Sequence, residues 1–423
     1  MATTGPLGDI LTTLLERQPF QRKAGAPGTL SQMCIALLEE QSEASGLQLA
    51  ADILEAIKQH PKDARLEFYR FLNTQLDIDP DQIITLAQAY RENASTQTFQ
   101  ALAQASEARR QDLFRRLNRA PGATADLVNM RADLLKRIGE EPTLGRTDHD
   151  LIHLFKSWFN RGFLVLRQIT WDTPASILER IIAYEAVHEI RNWNDLRRRL
   201  QPADRRCFAF FHPAMPDDPL IFVEVALTKG VPGSIQDLLS VERKEQRAED
   251  ADTAVFYSIS NCQDGLSGIS FGNSLIKQVV RDLSLEVPNL KRFVTLSPIP
   301  GLARWANSQG IVDLADDSAR LKKLAAHYLL DIKKPDGKPL DPVARFHLAN
   351  GALVHAIHAE ADISEKGLAQ SGGAMVNYLY DQAKITQNIE NFADNHGVAA
   401  SGPVRNLAKQ AARLQRSAQE INK

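Results

Sequence analysis

The chain has little that would tie it to a membrane, a nucleic acid or an oxidising compartment. In 423 residues there are three cysteines, Cys34, Cys207 and Cys262. They are odd in number and far apart, which argues against a disulfide framework or a structural zinc site and favours a reducing cytoplasm. No apolar run approaches the roughly 20 residues that span a bilayer. The formal net charge is only -2, so no electrostatic case exists for nucleic acid or an anionic membrane as partner. Met1 to Asp9 lacks the basic start and apolar core of a secretory signal, and Glu420 to Lys423 is not a peroxisomal tripeptide. There is no G-x-G-x-x-G and no P-loop Lys-Ser/Thr.

What is present divides the chain in two. From about Leu30 to Glu140 apolar residues recur at helical spacing, as with Leu127, Met130, Leu134, Leu135 and Ile138. Asp79-Pro80 is an N-cap followed by a first-turn proline. Helical patterns also cover Leu47–Gln59, Lys62–Leu76 and Thr98–Asn118. The four tryptophans all lie beyond residue 150. There the period shortens, and Cys207–Phe211, Leu220–Leu227, Ala254–Ser260 and Arg292–Leu296 read as strands. Ser274–Leu285 reads as a helix between two of them. The expected fold is therefore α+β in two domains: an all-α helical bundle over residues 1–155, then a mixed α/β catalytic domain over 156–423.

Two segments carry chemistry. Phe293-Val-Thr-Leu-Ser297-Pro-Ile-Pro300-Gly301 is an apolar run that stops at a hydroxyl and meets a rigid turn. Arg345-Phe-His347-Leu-Ala-Asn350-Gly351 sets a titratable ring just before a glycine turn. Taken alone, Ser297 is a strand-end cap and His347 a satisfied, half-buried ring. A third segment, Asn261 to Ser274, has glycines at 265, 268 and 272 ahead of a helix. Backbone N–H groups there suit a diphosphate, although taken alone the glycine spacing reads better as a simple flexible turn. His149 and His153 share a helix face without an evident third ligand, so a zinc site is the minority reading. Arg197 to Arg199 with Arg205 and Arg206 form a basic cluster, read by default as a solvated or salt-bridging face and in the minority reading as a contact for a ligand phosphate. Cys262 is a small buried hydrophobe or a nucleophile.

Leu296-Ser-Pro-Ile-Pro-Gly301 and Phe346-His-Leu-Ala-Asn-Gly-Ala352 together resemble the motifs of the malonyl-CoA decarboxylase family. Phe155 to Leu164, Glu185 to His188, Pro219 to Thr228 and Ala374 to Tyr378 extend the likeness over roughly residues 145–380. The resemblance implies a GNAT-like catalytic domain, in which two parallel strands splay and an acyl-CoA enters the gap. It implies Ser297 and His347 as the catalytic pair, His347 giving a proton. It places acyl-CoA on Ser267, Gly268, Ile269, Ser270, Phe271, Gly272, Asn273 and Ile276. Some family members carry an acid where this chain has Ser270. Tyr378 is a reserve candidate for a proton relay. Malonyl-CoA and acetyl-CoA are the implied ligands, a tetramer the implied assembly, and neither metal nor organic cofactor is expected. A GNAT-type acyltransferase and a non-catalytic malonyl-CoA sensor are the rival readings.

Overall fold

The computed structural model describes residues 28–269 and 272–421. The chain forms two compact units, Met1–Trp158 with Asp264–Ile269, and Phe159–Gln263 with Ser270–Lys423. Of the expected acyl-CoA segment, Ser270 and Phe271 lie outside the described residues, as does the side chain of Asn273.

The first unit is helical between Leu30 and Trp158. Its helices start where the sequence supplies caps. Thr29 and Gln32 form a reciprocal capping box, and the Asp79 side chain accepts from the backbone of Asp81 and Gln82 ahead of Pro80. The expected helix over Thr98–Asn118 is instead two, Thr96–Ala105 and Arg109–Leu117. The Ser106 N–H turns back to the carbonyls of Leu102 and Gln104 and closes the first of them. Helices Pro80–Glu92 and Thr96–Ala105 bury no residue at all, and Ile84 and Phe99 are each 56% exposed. The remaining helices bury Leu113, Leu127, Leu134 and Leu151 completely.

Asp264–Ile269 belongs to this helical unit, where the sequence reading set it in the catalytic domain. The reason is a single buried cation. Arg131 is paired with Asp148 at 2.6 Å, and its Nη1 donates to the carbonyls of Gly265 at 2.7 Å and Ser267 at 2.8 Å. Gly265 lies so close to the Val128 carbonyl that any Cβ would collide with it.

The second unit is built on an eight-stranded sheet. Its strands are β1 (Val165–Ile169), β2 (Arg205–Phe211), β3 (Ile221–Thr228), β4 (Thr253–Asn261), β5 (Arg292–Thr295), β6 (Ser297–Pro298), β7 (Leu353–His358) and β8 (Met375–Leu379). The order is β1-β2-β3-β4-β5-β8-β6, with β7 also pairing β8. Every pairing is antiparallel except β4 with β5. That parallel pairing runs only from Thr253↔Arg292 to Phe256↔Thr295, while β4 continues to Asn261. The two strands therefore part, with helix Gly272–Glu286 as the crossover between them. This is the splayed parallel pair that the sequence resemblance implied. The four expected strands are present; β1, β6, β7 and β8 are additional. Helices Ala175–Tyr184 and Trp193–Leu200 cover β2 and β3 through Ile177, Ile181, Leu196, Cys207 and Phe222. Among the described residues no helix is long and apolar enough to cross a membrane.

Candidate active site

Ser297 and His347, fifty residues apart in sequence, meet in the second unit. β5 ends at Thr295, and Ser297 opens the short β6, held on β8 opposite Val376. Pro298, Pro300 and Gly301 then turn the chain. A Cβ at Gly301 would collide with the Tyr328 hydroxyl, so only glycine fits there. His347 lies in the last turn of helix Pro342–Ala349. Asp341 caps that helix by accepting from the Ala344 N–H at 2.8 Å, and Pro342 fills its first position. Burial pushes the Asp341 carboxyl up to about 6.

The polar contacts form one chain. The Ser297 hydroxyl donates to Thr295 Oγ1 at 2.8 Å and lies 3.2 Å from His347 Nε2. His347 Nδ1 lies 2.8 Å from the Tyr380 hydroxyl. Thr295 is itself fixed, accepting the Tyr378 N–H at 3.1 Å. Burial pulls the His347 ring down to about 3, so it is neutral near pH 7 and carries one ring proton. Since Ser297 spends its proton on Thr295, its oxygen must accept from His347. That places the ring proton on Nε2 and makes Nδ1 the acceptor for Tyr380.

Ser297 and His347 border a cavity of about 240 Å³. It occupies the gap where β4 and β5 part: Tyr257, Ile259 and Asn261 come from the part of β4 beyond its pairing with β5, Ser297 and Pro298 from β6, and His347 from the helix. Among the described residues no charged side chain lines it. A carboxylate placed there would be poorly solvated, while neutral carbon dioxide would not suffer.

The sequence-expected residues fall into three groups. Ser297 and His347 come together. Tyr378 is fully buried and stacks on the His347 ring, centroids 4.5 Å apart, but among the described residues its hydroxyl has no hydrogen-bond partner. The hydroxyl at the ring nitrogen is that of Tyr380, which sequence reasoning missed along with Thr295. Both belong to apolar strand-like runs, and only their two-residue offsets from Tyr378 and Ser297 mark them. In the acyl-CoA segment, Ser267 and Gly268 are exposed and Ile269 is buried within the helical unit. Gly268 has φ +79° with nothing within 4 Å of a Cβ. Ile276 is buried on helix Gly272–Glu286. Cys262 is buried and its thiol is pushed well above the ordinary range, which suits a core residue and not a nucleophile.

A mixed sheet with one splayed parallel pair, and a buried Ser–His–Tyr chain in the splay, define an acyl-thioester enzyme of the kind the motifs resemble. Two family models match: malonyl-CoA decarboxylase N-terminal domain over residues 76–159, and malonyl-CoA decarboxylase C-terminal domain over 162–318 and 312–419. Malonyl-CoA decarboxylase of Rhodopseudomonas palustris is 48% identical, with 89% of this chain and 98% of that one covered at a TM-score of 0.83. That of Agrobacterium vitis is also 48% identical, covering 90% and 99% at a TM-score of 0.85. The mitochondrial malonyl-CoA decarboxylase of Rattus norvegicus is 34% identical over 384 residues, 78% of this chain and 77% of its own length. The chain belongs to the malonyl-CoA decarboxylase family, and is thus a carboxy-lyase.

Proposed function

We propose that this chain converts malonyl-CoA to acetyl-CoA and carbon dioxide with Ser297 and His347 as the reacting pair and Tyr380 as their support. Family membership gives the reaction; the assignment of roles is our reading. The observation that carries it is the hydrogen-bonded chain from Thr295 through Ser297 and His347 to Tyr380.

Decarboxylation sends the electrons of the breaking C–C bond into the thioester carbonyl. The thioester is the electron sink, so the chemistry needs neither metal nor organic cofactor. Ser297 can turn its hydroxyl from Thr295 onto a carboxylate oxygen of the substrate and hold that group out of the thioester plane. The wall without charge favours departure of neutral carbon dioxide. His347 then gives its Nε2 proton to Cα of the enolate. The Tyr380 hydroxyl, donating to Nδ1, disperses the charge left on the ring, and one proton from solvent restores it. Ser267, Gly268, Ile269, Ser270, Phe271, Gly272, Asn273 and Ile276 are our acyl-CoA-binding segment. The open backbone at Gly268 and the helix beginning at Gly272 support that reading.

A homo-oligomer, in the form of a tetramer, is also part of the reading. Helices Pro80–Glu92 and Thr96–Ala105, which bury no residue, support it by leaving Ile84 and Phe99 to a second copy. A cytoplasmic location is supported by three buried, unpaired thiols; cell fractionation tests it.

The deciding experiment measures acetyl-CoA and carbon dioxide from malonyl-CoA with purified protein and chelator present. Equal amounts of both products, lost in His347→Ala, establish the reading. Tight malonyl-CoA binding without products would favour a sensor, and transfer to an amine without carbon dioxide an acyltransferase.

A further inference from the structure

Away from the reaction cavity, the second unit has a polar cavity of about 270 Å³ whose wall carries five arginines: Arg191, Arg198, Arg199, Arg205 and Arg243. Two carboxylates, Glu189 and Asp195, share that wall. Two more carboxylates hold arginines of the wall. Glu224 pairs with Arg199 at 2.9 Å, and Asp204 is gripped by Arg243 at 2.6 and 3.1 Å. Asp195 pairs with Arg198.

Arg205 is the one left short. Its side chain is only 3% exposed, and its Nη atoms donate to the carbonyls of Asp204 and Leu238 at 3.1 and 2.7 Å, not to a carboxylate. The nearest carboxylate oxygen, on Asp204, stands 3.5 Å away and already serves Arg243. Burial pulls the Arg205 guanidinium below its ordinary value. Asp204 thus serves both Arg205 and Arg243, while Arg191 pairs with Glu189 at 3.7 Å, so five guanidinium groups share four carboxylates and one positive charge is left in excess around the opening. Arg198 and Arg243 reach the same opening with donors to spare, since a guanidinium has five N–H groups.

We infer that this cavity is an anion site for phosphate groups, with buried Arg205 and Arg199 at its floor and Arg198 and Arg243 as forks that grip the oxygens. Guanidinium forks match phosphate geometry better than any other side chain. The phosphate belongs either to a free anion or to the nucleotide end of the CoA substrate. The site stands independently of the roles given to Ser297 and His347.

The test is calorimetric titration of inorganic pyrophosphate into the full chain at physiological ionic strength, with Arg198→Ala and Arg243→Gln alongside. One site per chain is expected, weakened about tenfold in each variant while the folded spectrum is kept. Absence of binding to the wild type, or equal binding by wild type and both variants, overturns the site. Turnover of malonyl-CoA with pyrophosphate present then separates the sources. A raised KM at constant kcat identifies the phosphates of CoA, and an unchanged KM identifies a free anion.

Discussion

The Tyr380 hydroxyl meets His347 at Nδ1, 2.8 Å away, at the ring nitrogen that does not face Ser297. Because Ser297 donates to Thr295, its oxygen accepts from Nε2, and the Tyr380 hydroxyl fills the remaining nitrogen as a donor.

Ser297→Ala and His347→Ala are expected to fold and to bind CoA, and to lose about 10²–10⁴ in kcat, the usual worth of a positioned acid or base. Steady-state kinetics with calorimetric CoA binding is the check. Wild-type kcat in both variants would remove the pair from the mechanism.

Tyr380→Phe keeps the ring and deletes the hydroxyl that sets the tautomer. His347 Nδ1 is then left buried without a donor, a loss of about 1–3 kcal/mol. Turnover should fall about 10- to 100-fold with KM little changed. Tyr378→Phe should leave kcat near wild type, since that hydroxyl makes no hydrogen bond among the described residues. Equal effects of the two substitutions would refute the assignment.

Stability should depend on pH through His347. Its folded value of about 3 lies below the ordinary 6.5, so between those values the unfolded chain binds more protons. The folded state therefore loses stability as pH falls from 6.5 toward 3, with a slope for this group of at most about 1.4 kcal/mol per pH unit. His188, pulled to about 4 by burial, acts in the same sense. Asp341, pushed up from 3.8 to about 6, acts in the opposite sense between those values. Urea denaturation of His347→Gln over this window should give a shallower acid-side loss than the wild type. An identical slope would mean that His347 is not buried neutral.

Gly268→Val should weaken CoA binding by putting a branched side chain where a ligand would approach the backbone. Its positive φ also strains any residue with a Cβ, so melting must be followed in parallel. Unchanged CoA affinity in a folded variant would move the diphosphate site elsewhere.

Ile84→Glu with Phe99→Glu should shift the mass seen by light scattering to that of a smaller assembly, without loss of helical signal. Those residues are more than half exposed, and Phe99 packs against Tyr90 with ring centroids 6.0 Å apart. An unchanged mass would place the subunit contact on another surface.

Much of this was legible beforehand. The strands over residues 207–211, 220–227, 254–260 and 292–296 are apolar runs between turn signals, and a run of that kind announces itself locally. Ser297 and His347 were singled out by the joint resemblance of their two motifs to the family, each with its own proline or glycine turn, and the fold brings them to 3.2 Å of each other. β1, β6, β7 and β8 were not found. The short β7, with His355, Ala356 and His358 in it, lacks the unbroken apolar pattern and depends on β8 for its pairing.

What the sequence alone determined is whatever depends on neighbours along the chain: the capped helices, the switch of period beyond residue 150, and the hydroxyl and imidazole at the ends of their elements. Three decisions needed the tertiary structure. Arg131 ties Asp264–Ile269 to the helical unit through contacts 134 and 136 residues apart. Tyr380 rather than Tyr378 supplies the hydroxyl at His347, although both come from one stretch of chain. The proton sits on Nε2, because Thr295 takes the Ser297 proton and burial removes the ring's charge. Hydrogen-bond direction and desolvation are set by groups that only folding brings within 3 Å, and no local pattern records them.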